Sequence, residues 1–111
     1  MAKYILLYTG GKAGSTEEET QAILQAWGVW YTKLGEHLVD GGSPVMPHAT
    51  ATKVTPTEIF PGVTDTKVTG YSVIQTDTKE EAINFAKECP ILDDENASVE
   101  VHELWEMSQN Q

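Results

Sequence analysis

The sequence predicts an α+β domain in β-α-β-β-α-β order, with a four-stranded antiparallel sheet carrying both helices on one face. Three observations predict it. Two segments with helical apolar spacing each open on a capping-box pattern. Four short segments carry apolar or alternating β-favouring residues. Stretches rich in glycine, proline and acidic residues separate these segments in the required order.

Residues 3–8, Lys3-Tyr4-Ile5-Leu6-Leu7-Tyr8, read as a buried first strand, and Gly10, Gly11 and Gly14 make the turn after it. Ser15 with Glu18, or Thr16 with Glu19, supplies the first capping box, and Glu17, Glu18 and Glu19 suit the positive end of a helix dipole. Ile23, Trp27, Trp30 and Leu34 recur at spacings of four, three and four, giving one apolar stripe on a helix over 16–34. Leu24 and Tyr31 widen it. Gly28 costs this helix about 1 kcal/mol relative to Ala, and close packing is the expected reason for it. Gly35 is a natural stop.

Leu38-Val39-Asp40 begins a second strand, interrupted by Gly41-Gly42-Ser43-Pro44 and expected to resume at 49–54. Residues 55–69 read as a connection, and 70–76 as the third strand. Thr78 with Glu81 caps a second helix whose apolar face is Ala82, Phe85, Ala86 and Cys89, with Pro90 ending it. Asp93 to Asn96 is a solvated turn. Residues 98–105 alternate as a last strand, with His102 on the face shared by Glu100 and Leu104. The pattern is the split βαβ, or ferredoxin-like, arrangement. The sheet face away from the helices receives Tyr4, Leu6 and Tyr8, or else Ile5 and Leu7. Either set is too apolar to remain wet. A second copy of the chain is the simplest cover, so a homodimer with facing sheets is expected.

The chain has 111 residues, enough for one core: residues 1–107 form a single domain and 108–111 a polar tail. No apolar run approaches the roughly 18 residues of a membrane span, and the apolar start is too short for a signal peptide. The single cysteine, Cys89, forms no intrachain disulfide, reads as a small buried hydrophobe, and fits a reduced, cytoplasmic setting. The formal net charge is −10, and the seven basic residues are scattered lysines with no arginine. Such a surface repels phosphate backbones and anionic membranes and lacks the guanidinium fork, so neither nucleic acid nor membrane is expected as a partner.

Asp40 is the leading site candidate. Between a strand and two glycines, a carboxylate sits where backbone closely approaches a ligand, as a general acid or base requires. The competing reading is an aspartate that holds the Gly41–Gly42 turn through side-chain-to-backbone hydrogen bonds. His48 is the histidine best placed in sequence to approach Asp40, and His102 is the next candidate; each also reads as an ordinary surface imidazole. His37 is expected to serve the end of the first helix. Tyr4, Trp27 and Tyr71 are candidates to line a small-molecule pocket, against the plainer reading of Trp27 as core. No metal is expected, because no histidines or cysteines stand at ligand spacing. Gly10-Gly11-Lys12-Ala13-Gly14-Ser15 lacks the spacer of a phosphate loop. No cofactor is implied.

Several segments in succession resemble the YCII-related (DGPF-domain) family. They are the start at 3–8, Trp27-Gly28-Val29-Trp30, Leu38-Val39-Asp40-Gly41-Gly42, Ala49-Thr50-Ala51-Thr52, Thr66-Lys67, Gly70-Tyr71-Ser72-Val73-Ile74, the helix from Glu81-Ala82 to Cys89-Pro90, and Val99 through Met107. The resemblance spans nearly the whole chain. It implies a dimeric α+β barrel and a small enzyme or ligand-binding protein, sometimes encoded near alternative sigma factors. Two features depart from the family pattern. Phe60-Pro61-Gly62-Val63-Thr64-Asp65 stands in place of the Asp-Gly-Pro-Phe signature, and Trp27 stands where some members carry a helix histidine proposed to pair with an aspartate. The expected function is a small-molecule enzyme of lyase or isomerase type, using acid–base chemistry at Asp40 with His48 or His102. The alternative is a non-catalytic ligand-binding or regulatory dimer.

Overall fold

The computed structural model describes residues 1–11, 14–46, 50–62 and 67–106. Within them run β1 (Ala2–Thr9), α1 (Glu17–Leu34), β2 (Leu38–Asp40), β3 (Thr52–Val54), β4 (Ile59–Pro61), β5 (Val68–Thr76), α2 (Lys79–Lys87) and β6 (Ser98–Glu103). Four strands form one antiparallel sheet in the order β2-β5-β1-β6. With its two helices this is an α+β architecture compatible with a ferredoxin-like fold.

Both helix starts follow from their caps. The Thr16 hydroxyl accepts the Glu19 amide at 3.1 Å, and the Thr78 hydroxyl accepts the Glu81 amide at 3.2 Å. Thr16 is therefore the N-cap of α1, while Ser15 donates its amide to the Glu19 carboxylate at 3.0 Å. The two bonds to Ser15 hold the Glu19 carboxyl below its ordinary range. Gly35 ends α1 at φ 55°, returning its amide to the Tyr31 carbonyl. Nothing lies near the position a Gly28 side chain would occupy, so close packing does not account for that glycine.

Alternation in β1 and β5 decides the two faces. Tyr4, Leu6 and Tyr8 of β1 and Ser72, Ile74 and Thr76 of β5 are buried. Their apolar members form one cluster with Trp30 and Leu34 of α1 and Ala82, Ala86 and Cys89 beside α2. Fully burying a side chain such as Leu6 or Ile74 contributes about 1.5–3 kcal/mol. The Trp30 indole donates to the Phe85 carbonyl at 3.0 Å and ties the helices together. The open face therefore carries Ile5 and Leu7, with Tyr71 and Val73 opposite them in register. These four are half-buried in the single chain.

The middle of the chain departs from expectation. Among the described residues, the second strand does not resume in the main sheet at 50–54. The edge instead continues after a bulge, where Pro44 bridges Gly70 and the Val45 amide bonds to the Thr69 carbonyl at 2.9 Å. Thr52–Val54 pairs with Ile59–Pro61, inside the stretch expected to be a plain connection, and makes a separate two-stranded sheet. The turn between them is closed by the Thr55 amide on the Glu58 carbonyl at 2.8 Å. Alternating residues promote a strand without choosing its neighbour, and here the local hairpin partner wins over the distant edge.

Candidate functional site

The Asp40–Gly41–Gly42 segment lies where β2 leaves its ladder with β5, at the register shift between Leu38 and Asp40. It is held from inside by three hydroxyls. Tyr8 Oη donates to Ser72 Oγ at 2.7 Å, and Ser72 Oγ donates to the Gly41 carbonyl at 2.7 Å. Tyr31 Oη donates to the same carbonyl at 3.2 Å. The Gly41 oxygen thus uses both lone pairs on protein donors. Ser72 is fully buried and Tyr8 nearly so, which makes the chain costly to interrupt. Burial pushes the Tyr8 hydroxyl far above its ordinary range, the bond with Ser72 opposing it only in part. Burial also raises Tyr31, a hydrogen bond with Ser72 opposing it and the nearby Asp40 carboxylate adding a smaller push upward. Both phenols therefore remain protonated donors at neutral pH.

The exposed side of the same turn is simpler. The Gly42 amide donates to Asp40 Oδ1 at 2.8 Å, closing a side-chain-to-backbone turn. The Asp40 residue is itself exposed. Gly42 takes φ 74°, and a Cβ built on it would come 1.7 Å from the Tyr71 carbonyl oxygen. No other residue fits there, so Gly42 is required by both conformation and contact. Beside the turn, Trp27 stands edge-on to Tyr8 at 5.4 Å and lies 5.9 Å from Tyr31. Trp27 and Tyr31 are half-buried, and of the two it is Tyr31 that reaches the turn, through the Gly41 carbonyl.

The residues singled out in the sequence are spread over three places. Asp40 is at the turn, and Trp27 approaches it through Tyr31. Tyr4 is a core residue, 3% exposed. Tyr71 looks away from the helices, paired with Leu7 on the open face. His102 lies on that face too, with Nε2 2.8 Å from Glu100 Oε1, opposite Ile5. Strand β6 is at the edge opposite β2, so roughly 14 Å of interstrand spacing separates His102 from Asp40 within one chain. His48 lies outside the described residues. His37 does not serve the end of α1: its Nδ1 is 2.9 Å from the Gln75 carbonyl and its ring packs 5.0 Å from Phe85. Cys89 is buried, and burial pushes its thiol up to about 11, which makes it a poor nucleophile near pH 7.

Sequence reasoning missed Tyr8, Tyr31 and Ser72 as a set. Ser72 carried the usable signal: a hydroxyl at an inward position of an alternating strand needs a buried partner. Two open depressions lie elsewhere. One of about 470 Å³ is lined by Ala2, Glu103, Leu104, Trp105 and Glu106, and one of about 510 Å³ lies on the outer side of α1 around Leu24. Among the described residues, no group of three or more His, Cys, Asp or Glu is arranged to hold a metal ion, and no helix is long and apolar enough to cross a membrane. No protein-family model matches this chain, and no curated protein matches it either.

Proposed function

We propose that this chain is a cytoplasmic, YCII-like homodimer of ferredoxin-like protomers that binds a small molecule at the Asp40–Gly41–Gly42 turn. One observation carries the reading: an exposed carboxylate stands on a turn whose Gly41 carbonyl accepts the Ser72 and Tyr31 hydroxyls, and the half-buried ring of Trp27 packs on that Tyr31. A rigid carboxylate next to aromatic faces suits a ligand with an apolar body and a cationic or hydrogen-donating group. The net charge of −10 favours the same sign of ligand. The half-exposed residues Ile5, Leu7, Tyr71 and Val73 support a second copy over the open sheet face. The order of YCII-like segments along the chain supports the family and its dimeric barrel.

Benzylammonium and benzoate make a charge-matched probe pair. Benzylammonium is expected to shift the Trp27 indole and Gly41–Gly42 amide resonances, and benzoate is not. Asp40→Asn should remove the response. Equal responses to both probes, or shifts remote from the turn, would refute this site.

A second reading, acid–base chemistry of lyase or isomerase type, is favoured by the exposure of the Asp40 carboxylate. Asp40 would then take a proton from the bound molecule. Asp40→Asn should abolish turnover of any substrate found while sparing the fold. Turnover equal to wild type would remove Asp40 from the chemistry.

A further inference from the structure

The sheet face turned away from the helices differs in charge from the rest of the chain. Its middle is Ile5 and Leu7 of β1 beside Tyr71 and Val73 of β5. Along β1, β5 and β6 the charged groups on this face are Lys3 and Glu100, one of each sign, and His102 is its one imidazole. These three strands therefore bring no net formal charge to the face, although the chain carries −10. Two copies repel each other least where their surfaces are neutral, which supports this face as the one they share.

The titratable groups of the face are gathered at the β6 edge. His102 Nε2 lies 2.8 Å from Glu100 Oε1, two residues back on the same strand and the same face. Across the ladder His102 stands opposite Ile5, and Glu100 stands opposite Leu7. Lys3, one open-face position before Ile5, is the charged group that β1 brings closest. Strand β5 brings Val73 and Gln75 at the next remove, and neither is charged. Among the described residues no strand flanks β6 on its outer side. In one chain the His102 and Glu100 side chains are 53% and 65% exposed, and a pair so wet contributes little to stability. Its protonation state matters once water is taken from it.

We infer that the His102–Glu100 pair makes the open-face homodimer sensitive to pH, tightening it as the imidazole takes up a proton. This rests on the two-copy reading above and adds a regulator to it. A second copy laid over Ile5 and Leu7 removes water from the strand beside them. With His102 neutral, each protomer then desolvates the Glu100 carboxylate against an uncharged ring, which is costly. With His102 protonated, the same 2.8 Å contact joins opposite charges, and the pair enters the interface without net charge. Imidazoles exchange their proton between about pH 5 and pH 8, while ordinary carboxylates and lysines stay ionised throughout that range. The sign follows: the dimer holds more protons than two separate chains, so acidification drives association. An isologous dimer contains the pair twice, so the bias at one pair is squared in the dissociation constant.

The test uses the full chain. Light scattering over a dilution series gives the dimer Kd of wild type, His102→Gln and Glu100→Gln at fixed salt from about pH 8 to about pH 5.5, the span in which imidazole titrates. Circular dichroism checks the fold at each pH; both substituted side chains are exposed. The wild-type Kd should fall roughly tenfold over this span, about threefold from each pair. His102→Gln should respond about twofold or less. Glu100→Gln should reverse the sense, because the protonated ring is then desolvated without an anion on it. A wild-type dimer of constant Kd would overturn the pair as regulator and leave the homodimer standing. A full response retained in His102→Gln would assign it to the other histidines and overturn the pair. A Glu100→Gln dimer that tightens on acidification as wild type does would overturn Glu100 as the partner. A wild-type monomer at every pH and concentration would overturn the homodimer and its regulator together.

Discussion

Two segments between α1 and β5 are held in opposite ways. The Asp40–Gly42 turn has little apolar content, yet its backbone is tied to Tyr8, Tyr31 and Ser72 across distant parts of the chain. The β3–β4 hairpin has more apolar content and satisfies its own backbone, but its side chains meet solvent. Buried hydrogen bonds locate a segment because leaving them unmade is expensive. Apolar side chains locate it only when a surface is present to receive them. The turn is therefore fixed by bonds to distant parts of the chain, while the apolar side chains of the hairpin stand in solvent.

Substitutions can break or sharpen this contrast. The largest expected effect is at Gly42. Gly42→Ala meets the Tyr71 carbonyl and a left-handed backbone together, so unfolding in urea should show a loss of about 3 kcal/mol or more. A loss under 1 kcal/mol would mean that the turn is not pinned to β5. Next is Ser72→Ala, which strands the Tyr8 hydroxyl and removes one donor from the Gly41 carbonyl. It should cost about 1–3 kcal/mol by the same measurement.

Alkaline pH supplies a smaller effect. Cys89 titrates near 9.0 when unfolded and at about 11 when folded, because burial disfavours the thiolate. Its contribution is whole below pH 9 and is lost as pH rises toward 11, amounting to about 1 kcal/mol by pH 10. Tyr8 acts in the same sense from about pH 10 upward. Cys89→Ala should flatten the fall in urea midpoint between pH 8.5 and pH 10, and an unchanged slope would refute the assignment. The smallest effect belongs to the hairpin. Val54→Thr/Ile59→Thr should alter the stability of an isolated protomer by no more than about 0.5 kcal/mol per site, since neither side chain is buried there. A loss above 2 kcal/mol in a verified monomer would show that the hairpin packs on its own body.

Much of the fold was legible in local signals. The Thr16 and Thr78 caps, the Trp27–Trp30–Leu34 stripe, the strand at 70–76 and the Pro90 stop are each written in a few adjacent residues. Alternation also narrowed the open face to two sets of side chains, and the structure selects Ile5 and Leu7. The hairpin was not legible, because Thr52-Lys53-Val54 reads equally well as a sheet edge. The site was half legible. Asp40 beside two glycines announced a turn, and its bond to the Gly42 amide matches the turn-holding reading made from sequence. Its support was hidden, since Tyr8 and Ser72 are 64 residues apart and nothing local pairs them. The distance between His102 and Asp40 was hidden for the same reason: three strand spacings separate them within one chain, and only the sheet order reveals it.

The shared Gly41 carbonyl also has a hereditary consequence. Two side chains, Ser72 and Tyr31, answer to one oxygen atom and Tyr8 answers to Ser72, so drift at one position changes what is acceptable at the others. Loss of the Tyr8 hydroxyl alone deprives Ser72 of a donor, and loss of Ser72 alone strands Tyr8. The joint change to Phe and Ala removes both demands at once and leaves Tyr31 to serve the carbonyl. Descendants of this sequence should accordingly keep Tyr8 and Ser72 together or give them up together, and Gly42 should outlast them both.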